Sequence, residues 1–112
     1  MLFINSDRDH RTGWEGYDFV VNRKVLTNVT TLLERSRSRW NWEPVTEVRY
    51  KVRGNEIEIA VSRSALGFDT NKPLRFDFKW ADNTAISGDI MEFYTDGDVA
   101  PNGRFAYRYE ER

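Results

Sequence analysis

The run Val45-Thr-Glu-Val-Arg-Tyr-Lys-Val-Arg53, the pair Gly54-Asn55 and the run Glu56-Ile-Glu-Ile-Ala-Val61 together decide the fold. A two-residue link with glycine first, set between alternating runs, favours a hairpin on a type II′ turn. Closed about that link, the chain sets Val52 opposite Ile57, Tyr50 opposite Ile59 and Val48 opposite Val61 on one face. The other face then receives Arg53 opposite Glu56 and Lys51 opposite Glu58. Apolar pairs on one side and opposite charges on the other describe an antiparallel ribbon half buried against a core.

The alternation continues outward in both directions. Upstream, residues 29–35 set Val29, Thr31 and Leu33 against Thr30, Leu32 and Glu34. Residues 17–23 set Tyr17, Phe19 and Val21 on one face and add Val20 on the other, which predicts a central strand, and Leu2-Phe3-Ile4 predicts a short one. Between these runs and the hairpin, residues 36–44 read as a polar loop, with Pro44 disfavouring helix at Glu43. Downstream, Ser62-Arg-Ser-Ala-Leu-Gly67 reads as one helical turn with a serine cap and a glycine stop. Leu74, Phe76, Phe78 and Trp80 then alternate with Arg75, Asp77 and Lys79. Residues 90–94 form a weaker strand pattern, residues 97–103 with Pro101 a loop, and Phe105, Tyr107 and Tyr109 alternate in a last strand. About seven short strands and one helical turn predict an all-β antiparallel β-sandwich, jelly-roll or immunoglobulin-like.

At 112 residues the chain supplies one domain with one two-layer core. A net charge of −1, from 17 basic and 18 acidic residues, leaves no basic footprint for nucleic acid or an anionic membrane. Without cysteine there is no disulfide framework and no thiolate site. No apolar stretch reaches membrane-spanning length, so membrane insertion is not expected. The chain enters a strand pattern directly after Met1, which reads as a piece of a longer protein.

Polar chemistry is densest in I-N-S-D-R-D-H-R-T-G-W-E-G-Y-D, residues 4–18. Asn5, Asp7, Asp9 and Asp18 offer the hard oxygen ligands that Ca²⁺ prefers, with carbonyls near Thr12 and Gly13 to complete a shell. The spacing is not that of an EF-hand, because His10 stands at the sixth position and Gly16 at the twelfth. The alternative is an Asx-rich turn whose carboxylates cap backbone N–H groups and pair with Arg8 or Arg11. Trp40 and Trp42, two large rings in a polar segment, read either as a platform for a sugar ring or as a lid over one end of the fold. Arg39, Arg37, Asn41, Asp82 and Asn83 are polar groups able to serve beside such a platform. Trp80 shares the phase of Phe76 and Phe78 and reads as core, and Trp14 reads as packing under the acidic loop. Catalysis is the competing class: Glu15 and Asp18 form the least implausible acid pair, neither in a conspicuously apolar setting that would raise a pKa. His10, the single histidine, is flanked by charges and reads as a surface residue.

Four stretches carry a resemblance: L-F-I-N-S-D-R-D-x-x-T-G-W-E-G-Y-D-F-V-V-N-R, I-E-I-A-V-S-R-S-A-L-G, F-D-F-K-W-A-D-N and G-D-I-M-E-F-Y-x-x-G-D-V-A-P-x-G-R-F-x-Y-x-Y. Together they resemble the sugar-binding-like β-sandwich domains attached to secreted bacterial glycan-degrading proteins, chiefly family 9 carbohydrate-binding modules and the wider DOMON-like superfamily. The resemblance implies a non-catalytic accessory domain outside the cytoplasm that binds glycan beside a catalytic neighbour, and it adds weight to structural calcium. A structural or protein-interaction sandwich without a small ligand is the alternative, and a glycoside hydrolase fragment a more distant one. Haem-binding relatives use a Met and a His, which singles out His10 and Met91, although a polar loop makes a poor haem pocket. Family 9 modules carry further strands before the equivalent of Leu2-Phe3-Ile4, and their absence implies an exposed edge that pairs in trans.

Overall fold

The computed structural model describes residues 1–82, 88–94, 97–103 and 105–111. Among them are eight strands: β1 (Leu2–Asn5), β2 (Phe19–Val25), β3 (Thr30–Ser38), β4 (Asn41–Arg53), β5 (Glu56–Ala60), β6 (Arg75–Asp82), β7 (Asp98–Ala100) and β8 (Tyr107–Glu110). Two 3₁₀ turns, Ser64–Leu66 and Ile90–Phe93, complete the regular structure. The fold is all-β and its strand pairs are antiparallel, as the alternation predicts.

The strands form one continuous sheet in the order β5-β4-β3-β2-β1-β6-β7. β8 joins β6 on the edge that β7 also uses, pairing with its first half while β7 pairs with its second. The sheet curls, so that Ile57 and Ile59 of β5 line the same groove as Phe78 and Trp80 of β6 and Tyr107 of β8. Sandwich-like layering therefore arises within a single sheet. β1 lies between β2 and β6; the edges of the described sheet are β5 at one end and β7 with β8 at the other.

The deciding hairpin has the expected register, Arg53 with Glu56, Val52 with Ile57, Lys51 with Glu58 and Tyr50 with Ile59. Gly54 has φ 61°, as the first position of a type II′ turn requires. Only its base is buried: Val48 is in the core, whereas Val52 at the tip is 59% exposed.

Both faces of the sheet are apolar. Ile4, Phe19, Val21, Leu33 and Val48 form one cluster, joined by Leu2, Ile59, Leu66 and Phe76. Phe3, Trp14, Tyr17, Val20, Ala81 and Phe93 form the other, with Trp40, Trp42 and Ile90 against it. β2 is thus central and buried on both faces, as its sequence predicts. Tyr17 falls on the Val20 side instead of beside Phe19, because the chain turns back at Trp14 and Tyr17, which exchange backbone bonds of 2.9 and 2.8 Å.

Three segments differ from the sequence reading. Most of the loop expected over residues 36–44 is strand, since β3 runs to Ser38 and β4 begins at Asn41. Pro44 is accommodated where the β3–β4 register shifts between Leu33 and Glu34, a bulge that needs no proline N–H. Where a strand is expected over residues 90–94, Ile90–Phe93 is a 3₁₀ turn, started by the Asp89 carboxylate accepting from Met91 N–H at 2.9 Å. A short apolar run does not distinguish these two states. Residues 98–100 of the expected loop form β7 against β6.

Candidate functional site

The loop between β1 and β2 gathers its oxygens around one hydroxyl. Thr12 Oγ1 lies 3.1 and 2.9 Å from the two carboxylate oxygens of Asp7, 2.9 Å from Asp18 Oδ1 and 3.0 Å from the Asp9 carbonyl. One hydroxyl carries one proton, so it donates to one of these four acceptors at a time. Asp18 Oδ2 accepts from Ser6 N–H and Ser6 Oγ at 2.9 and 3.1 Å. Asp7 Oδ1 also caps Asp9 N–H at 2.8 Å, the Asx-turn pattern.

Glycine makes this convergence possible. Gly13 has φ +65°, and a Cβ there would stand 2.0 Å from the Tyr17 carbonyl oxygen. Only a residue without a side chain lets Trp14 and Tyr17 close the loop.

Of the sequence-derived ligand set, Asp7 and Asp18 converge and the Asp9 carboxylate does not. Arg11 holds it, donating from Nε and backbone N to Oδ1 at 2.9 Å each and from a terminal nitrogen to Oδ2 at 3.0 Å. These donors pull the Asp9 carboxyl down to about 2 from an ordinary 3.8. Asn5 is buried, and its Oδ1 has no hydrogen-bond partner among the described residues. For a hard cation the fit is therefore partial: two carboxylates, one hydroxyl, one carbonyl and an orphaned amide oxygen in the same loop region. No group of three or more Asp, Glu, His or Cys placed to hold a metal occurs among the described residues.

Trp40 and Trp42 pack inward. Trp40 meets Trp14 edge-on at 4.6 Å and Trp42 at 5.4 Å, and both rings lie near Phe3. The backbone of Gly88 covers Trp40, since a Cβ there would be 2.8 Å from its ring. Trp42 Nε1 is buried without a partner among the described residues. This is the lid arrangement. Around it, Arg39 is exposed in a left-handed conformation with φ 50°, Asn41 donates to Ser38 Oγ at 3.1 Å, and Arg37 pairs with Glu43 at 3.2 Å. Asp82 stands 3.6 Å from the amino terminus, and Asn83 lies outside the described residues.

Exposed rings stand elsewhere. Tyr109 stacks on Phe76 at 5.4 Å and Tyr107 packs on Phe78 at 5.5 Å with the rings tilted by 40°, in the β6–β8 register that pairs those residues. The tyrosines are 45% and 49% exposed, and neither phenol is hydrogen-bonded among the described residues. Trp80 continues the row into a groove of about 280 Å³ that it lines with Leu2, Ile57, Ile59, Phe78 and Tyr107. The alternation F-x-F-x-W against Y-x-Y is the signal for this row in the sequence; Trp80 reads there as core, and nothing in the pattern marks the exposure of the tyrosines.

The remaining candidates are dispersed. His10 and Glu15 are exposed, and Met91 is 55% exposed on the second 3₁₀ turn. Among the described residues no helix is long and apolar enough to cross a membrane. The chain matches no protein-family model, and neither a curated protein nor a solved structure is significantly similar to it.

Proposed function

We propose that this domain is a non-catalytic glycan-binding module, and that it takes its ligand on the aromatic row Tyr109, Tyr107 and Trp80 of the curled face. The single observation carrying this is the exposure of two tyrosines packed on Phe76 and Phe78, with Tyr107 lining an apolar groove. Sugar rings present flat C–H faces that pack on aromatic planes, and a phenol at each ring edge supplies hydrogen bonding to the hydroxyls. The sequence resemblance to family 9 and DOMON-like modules points to the same ligand class, and with it to an accessory role in a secreted glycan-degrading protein.

A glycan array probed with the wild-type domain and with Tyr107→Ala and Tyr109→Ala tests the reading. Loss of both rings is expected to weaken binding roughly tenfold or more while leaving the melting temperature within a few degrees. Binding that survives both substitutions, or no binding to any glycan, would remove this reading.

Calcium at the loop between β1 and β2 is part of the proposal, supported by the four acceptor oxygens around Thr12 Oγ1. Asp7, Asp18, Thr12 and the Asp9 carbonyl would hold it, and the ion would supply the positive charge that two converging carboxylates lack. Calorimetric unfolding in EDTA and then in excess calcium checks this. A midpoint raised by calcium in wild type and unmoved in Asp18→Asn supports the site; no shift in wild type leaves an Asx-turn closed by Thr12.

A further inference from the structure

The free edge of β5 has a defined phase. In a hairpin with a two-residue link, the residues flanking the turn exchange both backbone bonds, and inward and outward residues alternate from there. Arg53 and Glu56 flank Gly54-Asn55, so Glu56, Glu58 and Ala60 direct their peptide groups at β4. Ile57 and Ile59 direct theirs outward, and neither takes part in any other backbone bond among the described residues. Their side chains lie on the apolar face beside Val52 and Tyr50 and line the groove of about 280 Å³ that Phe78, Trp80 and Tyr107 complete. Glu56 and Glu58 are exposed on the opposite face.

Charge decides what this edge accepts. A second copy overlapping all of β5 in antiparallel register is centred on Glu58 and sets that carboxylate against itself. A shift of one residue towards the turn sets Glu56 against Glu58. A shift the other way sets Glu58 against Ala60, and either shift leaves three residues of β5 in overlap. Like charges directly opposite destabilise a strand pair, so the edge disfavours its own copy in the register of fullest overlap and disfavours any acidic strand.

We infer that β5 is a docking edge for an extended peptide in which apolar residues alternate with lysine or arginine. The peptide adds as an antiparallel strand, exchanging backbone bonds with Ile57 and Ile59. Its apolar side chains continue the Val52 and Ile57 face, and its basic side chains lie beside Glu56 and Glu58. This is strand addition, with main-chain bonds giving affinity and alternate side chains giving selection. Ile57 and Ile59 also line the groove shared with Trp80 and Tyr107, so a docked strand stands beside the glycan row.

Three synthetic peptides, alternating valine with lysine, with threonine and with glutamate, test the inference by amide hydrogen exchange and by titration. The lysine peptide is expected to protect the Ile57 and Ile59 amides specifically and to bind most tightly, the glutamate peptide least. Glu58→Lys is expected to lower affinity for the lysine peptide roughly threefold to tenfold and to raise it for the glutamate peptide. Ile57→Pro removes an outward N–H without touching the β4 ladder, and is expected to abolish binding of every peptide. Glu58→Lys keeps the test decisive if the proline variant does not fold. No protection with any peptide, equal affinity for the acidic and basic ones, or a concentration-dependent dimer protecting the same amides would overturn the inference.

Discussion

At the scale of single residues, two buried charges show what holds the sheet faces together. Glu34 is 1% exposed and receives Arg23 Nε at 2.9 Å and a terminal nitrogen at 2.6 Å across the β2–β3 ladder. Removing the guanidinium leaves a buried carboxylate alone, so Arg23→Ala is expected to cost about 3–5 kcal/mol in denaturant unfolding. Lys79 is fully buried and donates to the carbonyls of Pro101 and Phe105 at 2.5 and 2.7 Å, which ties the segment after β7 to β6. Lys79→Met is expected to cost about 1–3 kcal/mol for each carbonyl left unpaired. Burial holds the Lys79 ammonium below its ordinary 10.5. Between that lowered value and 10.5 the unfolded chain binds the proton more tightly, so the lysine's contribution rises with pH; the difference between wild type and Lys79→Met, followed by unfolding at stepped pH, should grow across that window. Asp9 has the opposite sense. Its stabilising pairing with Arg11 is present above 3.8 and lost as pH falls through about 2, so its carboxylate should titrate near that value by NMR and return towards 3.8 in Arg11→Ala. Neither buried charge was legible in the sequence, where Glu34 and Lys79 occupy ordinary polar positions of alternating strands. Their burial follows from both sheet faces being covered.

Elements were legible where pattern and turn chemistry agreed. The 45–61 hairpin carries both a period of two and a glycine-first turn, and its register was readable pair by pair. β6 and β8 were readable from alternation alone. Segments whose structure depends on a neighbour were not. β7 has three residues and exists by pairing with β6, the extension of β3 and β4 past Pro44 depends on a bulge, and the 3₁₀ turn at residues 90–93 depends on its Asp89 cap. The loop between β1 and β2 was readable in part: the pairing of Asp9 with Arg11 is the Asx-turn alternative read from the sequence, while the Thr12 hydroxyl between Asp7 and Asp18 had no signal beyond proximity. Gly13→Ala tests how that loop is closed. With φ +65° and a carbonyl 2.0 Å from the added Cβ, it is expected to destabilise the domain by more than about 1 kcal/mol and to broaden the resonances of Trp14 and Tyr17.

For the whole molecule, the consequence of curling one sheet is a division of labour between its faces. One face is sealed by the loop between β1 and β2, by Trp40 and Trp42 and by the second 3₁₀ turn. The other is filled at its centre by Ile4, Phe19, Val21, Leu33 and Val48 and left open towards β5, β6 and β8. Aromatic count alone does not say which rings are sealed and which are open, because that depends on where the sheet curls. The four tryptophans report the two faces separately: Trp14, Trp40 and Trp42 lie on the sealed face and Trp80 on the open one. The most direct test is therefore an NMR titration with a pool of neutral oligosaccharides, following the four indole N–H signals and the tyrosine rings. Shifts at Trp80, Tyr107 and Tyr109 with Trp14, Trp40 and Trp42 unmoved are the predicted result. Shifts confined to Trp40 and Trp42, or none at all, would contradict it.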